Sequence, residues 1–158
     1  MADLSTFSRA LDDSKERAVR GLVEAQKAIA TKAYSMIAAD SRSVSLKYGS
    51  PVWSGRYRAS HTIAIGTPDT SVKEAPQVDV RWPDEPSTVL NAPPVSRAAQ
   101  VLSGLKPFSV VFIANALPYA RRIENGYSKL KAPAGVYEAT AQAVRSLYGR
   151  LRLKDFIR

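Results

Sequence analysis

The chain has 158 residues and no cysteine; 45% of the residues are hydrophobic, 23% are charged, and 23 Lys and Arg against 14 Asp and Glu give a formal +9 at neutral pH. That length and balance suit one globular domain, able to bury roughly 68–70% of its unfolded surface, and exclude a collagen-like or wholly disordered chain. Without cysteine there is no disulfide framework, thiolate metal site or thiol nucleophile, which agrees with a reducing cytoplasm. The polar N-terminus MADLSTFSRALDD has neither a signal-peptide core nor a membrane-spanning run, so a soluble protein away from membranes is expected.

In chain order, Leu4, Phe7, Leu11, Val19, Leu22, Val23, Ile29, Ala33 and Ile37 recur at three- and four-residue steps, with no proline from Ser5 to Ala39. This period predicts a long amphipathic helix over residues 1–40, capped by Asp3 or Ser5, continuous or interrupted near Asp13, with an end at Asp40–Ser43. After the Gly49-Ser50-Pro51 turn, residues 57–66 read as a strand, and Val78, Val80 and Trp82 alternate with polar residues as a second. Prolines 68, 76, 83, 86, 93 and 94 make loops of 67–76 and 83–94. Loops of that length in so small a domain are expected to order on contact with partners.

Ser96–Leu105 predicts a short helix capped by Ser96, and Phe108–Ala114, the most apolar run, a strand central in a sheet. Pro118 starts a helical turn to Glu124 that Asn125-Gly126 stops. Ala134–Leu147 predicts a C-terminal helix with Val136, Thr140, Val144, Leu147 and Leu151 on one face. Arg150–Lys154 then alternates basic and apolar residues, as a strand or an extended arm. The excess charge is uneven: residues 1–79 hold eleven basic and nine acidic side chains, a net +2, and residues 80–158 hold twelve and five, a net +7.

The chemistry of active sites is sparse. The one histidine, His61, shares a strand face with Ile63 and Ile65 and reads as a packed residue rather than a ligand. The acidic pairs Asp12-Asp13 and Asp84-Glu85 are adjacent, so their side chains diverge and form no shared-proton dyad. Neither phosphate-cradling glycine signature occurs. No catalytic residue, metal site or cofactor is expected, and the chain is read as a non-enzyme. The basic and aromatic run Trp53–Arg58 and the cluster Arg145, Arg150, Arg152, Lys154 and Arg158 attract anions. A basic nucleic-acid-binding module is therefore the alternative of another class, and the cluster is read as a docking surface for acidic neighbours or a lining for passing DNA.

Two segments carry a resemblance. Pro51-Val52-Trp53-Ser54-Gly55-Arg56-Tyr57-Arg58-Ala59-Ser60 resembles the P-V-x-T-G-x-L-R-x-S signature of tailed-bacteriophage tail-component proteins of the tail-completion, or neck, type. Asn115–Ser128, read as N-x-x-P-Y-A-x-x-x-E-x-G-x-S, resembles a later segment of that family, again after an apolar strand. Here Trp53 replaces the usual acidic residue, and Ser54 and Tyr57 the usual Thr and Leu. The resemblance implies one α+β domain over 1–158: a twisted, mainly antiparallel sheet in 51–128, packed by the long N-terminal helix and by a C-terminal helix within 134–158.

It further implies a virion protein of the neck, assembled in the host bacterial cytoplasm into a homo-oligomeric ring of six or twelve copies. That ring joins the tail tube or tail terminator to the head-closure and connector proteins, with non-specific contact to passing genomic DNA. Tail terminator or head-closure protein of the same neck is the alternative role. Subunit or partner contacts are expected at Trp53, Arg56, Tyr57, Arg58, Tyr119, Arg121, Arg122 and Glu124, with Arg121 and Glu124 paired on a helix surface.

Overall fold

The computed structural model describes residues 3–41, 43–45, 47–72, 91–150 and 152. The strand expected at 77–82, most of the loop at 83–94, and Lys154 and Arg158 lie outside them.

The apolar period of the N-terminal third becomes α1 (Leu4–Ala38), one continuous helix with no break at Asp13. Asp3 caps it, its carboxylate accepting the Ser5 N–H and hydroxyl. After α1 the chain folds back through a parallel bridge between Asp40 and Ser50. Gly49, at φ +95°, makes that return possible, because a β-carbon there would meet the Ala39 carbonyl at 2.8 Å.

The expected strand at 57–66 divides in two. Arg56–Ala59 is a helical turn, α2, entered through Gly55 in the left-handed region, and only His61–Ile65 is strand, β1. The extended reading fails at Tyr57 because its ring is buried against Ile37, Leu117, Ala120, Ala132 and Val136, which turns the backbone inward. Next comes α3 (Val95–Leu102), preceded by Pro94; Ser96 lies inside its first turn and is not its cap.

The strand expected from Phe108 starts at Val111 and runs to Asn115, β2. Phe108 is exposed with a φ of 63°, in a turn closed by the Ser109 N–H on the Lys106 carbonyl. β1 and β2 pair antiparallel, His61 opposite Asn115 and Ile65 opposite Val111, and among the described residues this is the whole sheet. β2 is half-buried along its length, not a strand covered on both faces. Two helices follow, α4 (Ala120–Glu124), stopped by left-handed Gly126, and α5 (Tyr137–Tyr148).

The result is α+β, with α1 as its spine. α1 contacts α2, α3, α5 and β1, and α3 packs on β1. The C-terminal helix leans mainly on α1 and reaches the sheet side through Val136 and Tyr137 at its start. Two apolar clusters result. One joins Ala30, Tyr34, Ile63, Ala98 and Leu102; the other surrounds Tyr57 and Val136; Ile113 touches both.

His61 ties these elements together. Fully buried, its Nε2 lies 2.8 Å from the Ser50 hydroxyl and its Nδ1 3.0 Å from the Tyr137 hydroxyl. Ser50 gives its hydroxyl hydrogen to the Ile37 carbonyl at 2.7 Å, so its oxygen must accept from His61, which fixes the proton on Nε2. Nδ1 is then the acceptor for Tyr137. The end of α1, β1 and the start of α5 thus meet at one neutral imidazole.

Burial pushes the His61 pKa down to about 3, against about 6.5 unfolded. Below pH 6.5 the unfolded chain binds a proton that the folded chain does not, so stability falls as pH falls. Urea denaturation should show stability about 2 kcal/mol lower at pH 5 than at pH 7.5, from one group losing about 1.4 kcal/mol per pH unit. Because the chain has one histidine, His61→Gln should lower stability at pH 7.5 and flatten the profile across this window; an unchanged slope would mean that the imidazole is not the titrating group.

Candidate functional site

The two segments that carry the family resemblance lie about fifty residues apart in sequence and form one wall of the molecule. The Asn115 side chain donates to the Tyr57 carbonyl at 2.9 Å and accepts the Leu117 N–H at 3.1 Å, so the second segment grips the backbone of the first. Lys131 adds a bond from its ammonium to the Val52 carbonyl at 3.0 Å. The Tyr57 and Tyr119 rings lie 6.4 Å apart, and Tyr57 stands edge-on to His61 at 5.0 Å.

Between the segments runs an open groove of about 990 Å³. Pro51, Trp53, Ser54 and Gly55 form one side with Arg56 and Tyr57, Tyr119 and Ile123 form the floor toward α4, and the loop Tyr127–Lys131 forms the far side. Among the described residues, four aromatic rings and three cations, Arg56, Lys129 and Lys131, line it, and none of those lining residues is acidic. Arg56 Nε and the Tyr57 hydroxyl are buried in its walls without a hydrogen-bond partner, donors that a bound acceptor would satisfy. Burial raises the pKa of the Tyr57 hydroxyl, and also that of Tyr119, so both stay neutral donors at physiological pH.

The expected contact residues take different places. Trp53 and Tyr119 are partly exposed on the groove, Arg56 and Arg58 are half-buried, and Arg121 and Arg122 stand exposed on α4. Tyr57 is a core residue that shows one edge to the groove.

Glu124 is not a surface partner of Arg121. Its carboxylate reaches across to the start of α5 and accepts three backbone N–H groups, from Val136 at 2.9 Å, Tyr137 at 3.0 Å and Glu138 at 2.9 Å. Residue 136, the cap position, is a valine without a side-chain acceptor, so Glu124 serves as the cap from another helix. Gly135, at φ +75°, leaves room for it, since a β-carbon there would lie 2.8 Å from Glu124 Oε1 and 2.6 Å from its carbonyl. This bridge closes the loop 125–135 and sets the far wall of the groove.

Tyr127, inside the second of the two segments, and Lys129, Leu130 and Lys131, beyond it, are groove residues that the sequence does not mark as contacts. Their one signal is two large apolar residues, Tyr127 and Leu130, in a turn otherwise made of polar and basic ones, and both prove largely exposed. Arg145, in the last turn of α5, and Arg150 and Arg152, just beyond it, are exposed at the end of this roughly 18 Å helix opposite the Glu124 cap.

No family model, curated protein or solved structure matches the chain.

The Ser50–His61 pair has the spacing of a nucleophile and its base, but both residues are fully buried and the serine hydrogen points to Ile37, away from the imidazole. It is a structural bridge. Among the described residues no three His, Asp or Glu side chains are grouped to hold a metal ion, and no helix is long and apolar enough to cross a membrane.

Glu124→Ala strands three N–H groups and should lower the unfolding free energy by about 2–4 kcal/mol in urea, with Glu124→Gln losing roughly half as much. Gly135→Ala should be destabilising to a similar degree from the opposite side of the same contact. If neither variant shifts the denaturation midpoint, the bridge does not hold α5.

Proposed function

We propose that the chain is a structural subunit of a bacteriophage neck, completing or joining the tail to the head as a homo-oligomeric ring, and that it turns over no substrate. The observation that carries this reading is the convergence of the two family-like segments. Residues 51–60 and 115–128 meet through Asn115 and Tyr57 and together shape one aromatic and basic groove. A surface of rings, arginine and lysine has the composition of a protein-protein contact rather than of a catalytic cleft. The Glu124 bridge keeps its walls in register.

Closed rings form when one surface patch meets a different patch on the next copy through a rotation that closes. A single copy needs two such patches, and the groove is one of them. The exposed arginines at the end of α5 fit a second task, facing acidic neighbours or the DNA that passes through a neck. Tail terminator or head-closure protein describes a different position in the same assembly.

Mass photometry and negative-stain imaging of the purified protein, with and without isolated tails, test the reading. Repeated copies around an axis, alone or at the tail end, are expected. A protein that stays monomeric and never decorates tails would end it. Tight binding of the lone protein to duplex DNA, with log affinity falling linearly in log salt, would favour the nucleic-acid-binding alternative.

A further inference from the structure

Among the described residues, nothing packs on the first fourteen residues of α1. Every residue from Asp3 to Arg17 is exposed, so about 21 Å of helix stands clear of the body. Along it Leu4, Phe7 and Leu11, at positions i, i+3 and i+7, form an apolar stripe, with exposures of 84%, 66% and 60%. These fourteen residues extend a helix already nucleated in its packed half, but three large apolar side chains in a row are costly to leave bare.

We propose that this arm seats in the groove of a second copy of the same chain, the apolar stripe lying between Trp53 and Leu130. The inference rests on the ring reading and supplies its subunit contact. Four observations carry it. The spacing of the stripe is that of helices that dock in apolar grooves by i, i+3 and i+7 anchors. Charge is complementary toward the tip of the arm: Asp3–Asp13 holds three carboxylates and one arginine, with Lys15, Glu16 and Arg17 following, whereas the described lining of the groove holds three cations and no acid. The groove wall contains two buried donors, Arg56 Nε and the Tyr57 hydroxyl, that lack acceptors. Finally, the arm cannot reach its own groove.

That last point is geometric. Ile37, at the far end of α1, packs with Tyr57 beneath the groove. Leu4 and Ile37 are joined by one unbroken helix, so roughly 40–50 Å separates the stripe from the groove of the same molecule. Arm and groove are therefore different patches at opposite ends of one copy, the arrangement that gives head-to-tail association.

The absence of native cysteine makes the contact directly readable. Phe7→Cys and Leu130→Cys proteins, mixed and oxidised, should give a disulfide-linked pair that neither gives alone. The double variant Phe7→Cys/Leu130→Cys should give a ladder ending at the ring's copy number. Phe7→Asp, at an exposed position, should keep its circular dichroism spectrum and raise the concentration for half-assembly at least about thirtyfold.

Rings that form without the 7–130 link and tolerate Phe7→Asp would overturn this contact while leaving the ring reading in place. A closed pair that does carry the link would support the contact and overturn the ring. Loss of decoration of isolated tails by Phe7→Asp, with self-assembly intact, would assign the arm to a different tail protein and overturn the inference, and a protein monomeric under all conditions would overturn both.

Discussion

Three backbone N–H groups at the start of α5 converge on one carboxylate, Glu124 of α4, and the shape of the groove follows from that convergence. A helix leaves its first N–H groups without intrahelical acceptors, and a negative charge at that end is favoured both by hydrogen bonding and by the helix dipole. Here no residue next to α5 offers an acceptor, so the cap comes from twelve to fourteen residues upstream. The consequence is a closed loop, 125–135, drawn tight by left-handed glycines at 126 and 135. Its outer face supplies Tyr127, Lys129, Leu130 and Lys131 to the groove.

The opposite wall is held by a different kind of constraint. His61 is buried, neutral and hydrogen-bonded on both nitrogens, and its partners come from the return after α1 and from α5. Beside it, Asn115 fixes the backbone of Tyr57. Buried polar networks of this kind are costly unless every member is satisfied, and these directions are mutually consistent, from Tyr137 through His61 and Ser50 to the Ile37 carbonyl. The network therefore gives the Trp53–Tyr57 wall a rigid base. An interface built on rigid elements loses less conformational freedom on association than one built on loops.

A small body with a long helix projecting from it presents two kinds of surface at its ends. At one end the groove is concave, aromatic and cationic; at the other the arm is convex, apolar along one stripe and locally acidic. A single α1 runs between them, so their separation and relative orientation are fixed by helix geometry rather than by a linker. That fixed relation is what a subunit of closed symmetry requires. The basic end of α5 lies away from the groove, so charge and shape serve different neighbours in the proposed neck.

The sequence by itself determined the features whose causes lie within one or two helical turns. The spacing of Leu4, Phe7 and Leu11 with the Asp3 cap gave α1, Asn125-Gly126 gave the end of α4, and the apolar setting of His61 gave a packed residue. Only the tertiary structure decided the rest. Arg56–Ala59 coils because the Tyr57 ring is drawn into a core made by Leu117 and Val136, contacts sixty and more residues away that outweigh a local preference for extension. Glu124 caps α5 rather than pairing with Arg121, because three unsatisfied N–H groups attract a carboxylate more strongly than one solvated guanidinium does. The groove has no local signature at all, since its walls come from segments that only folding brings together.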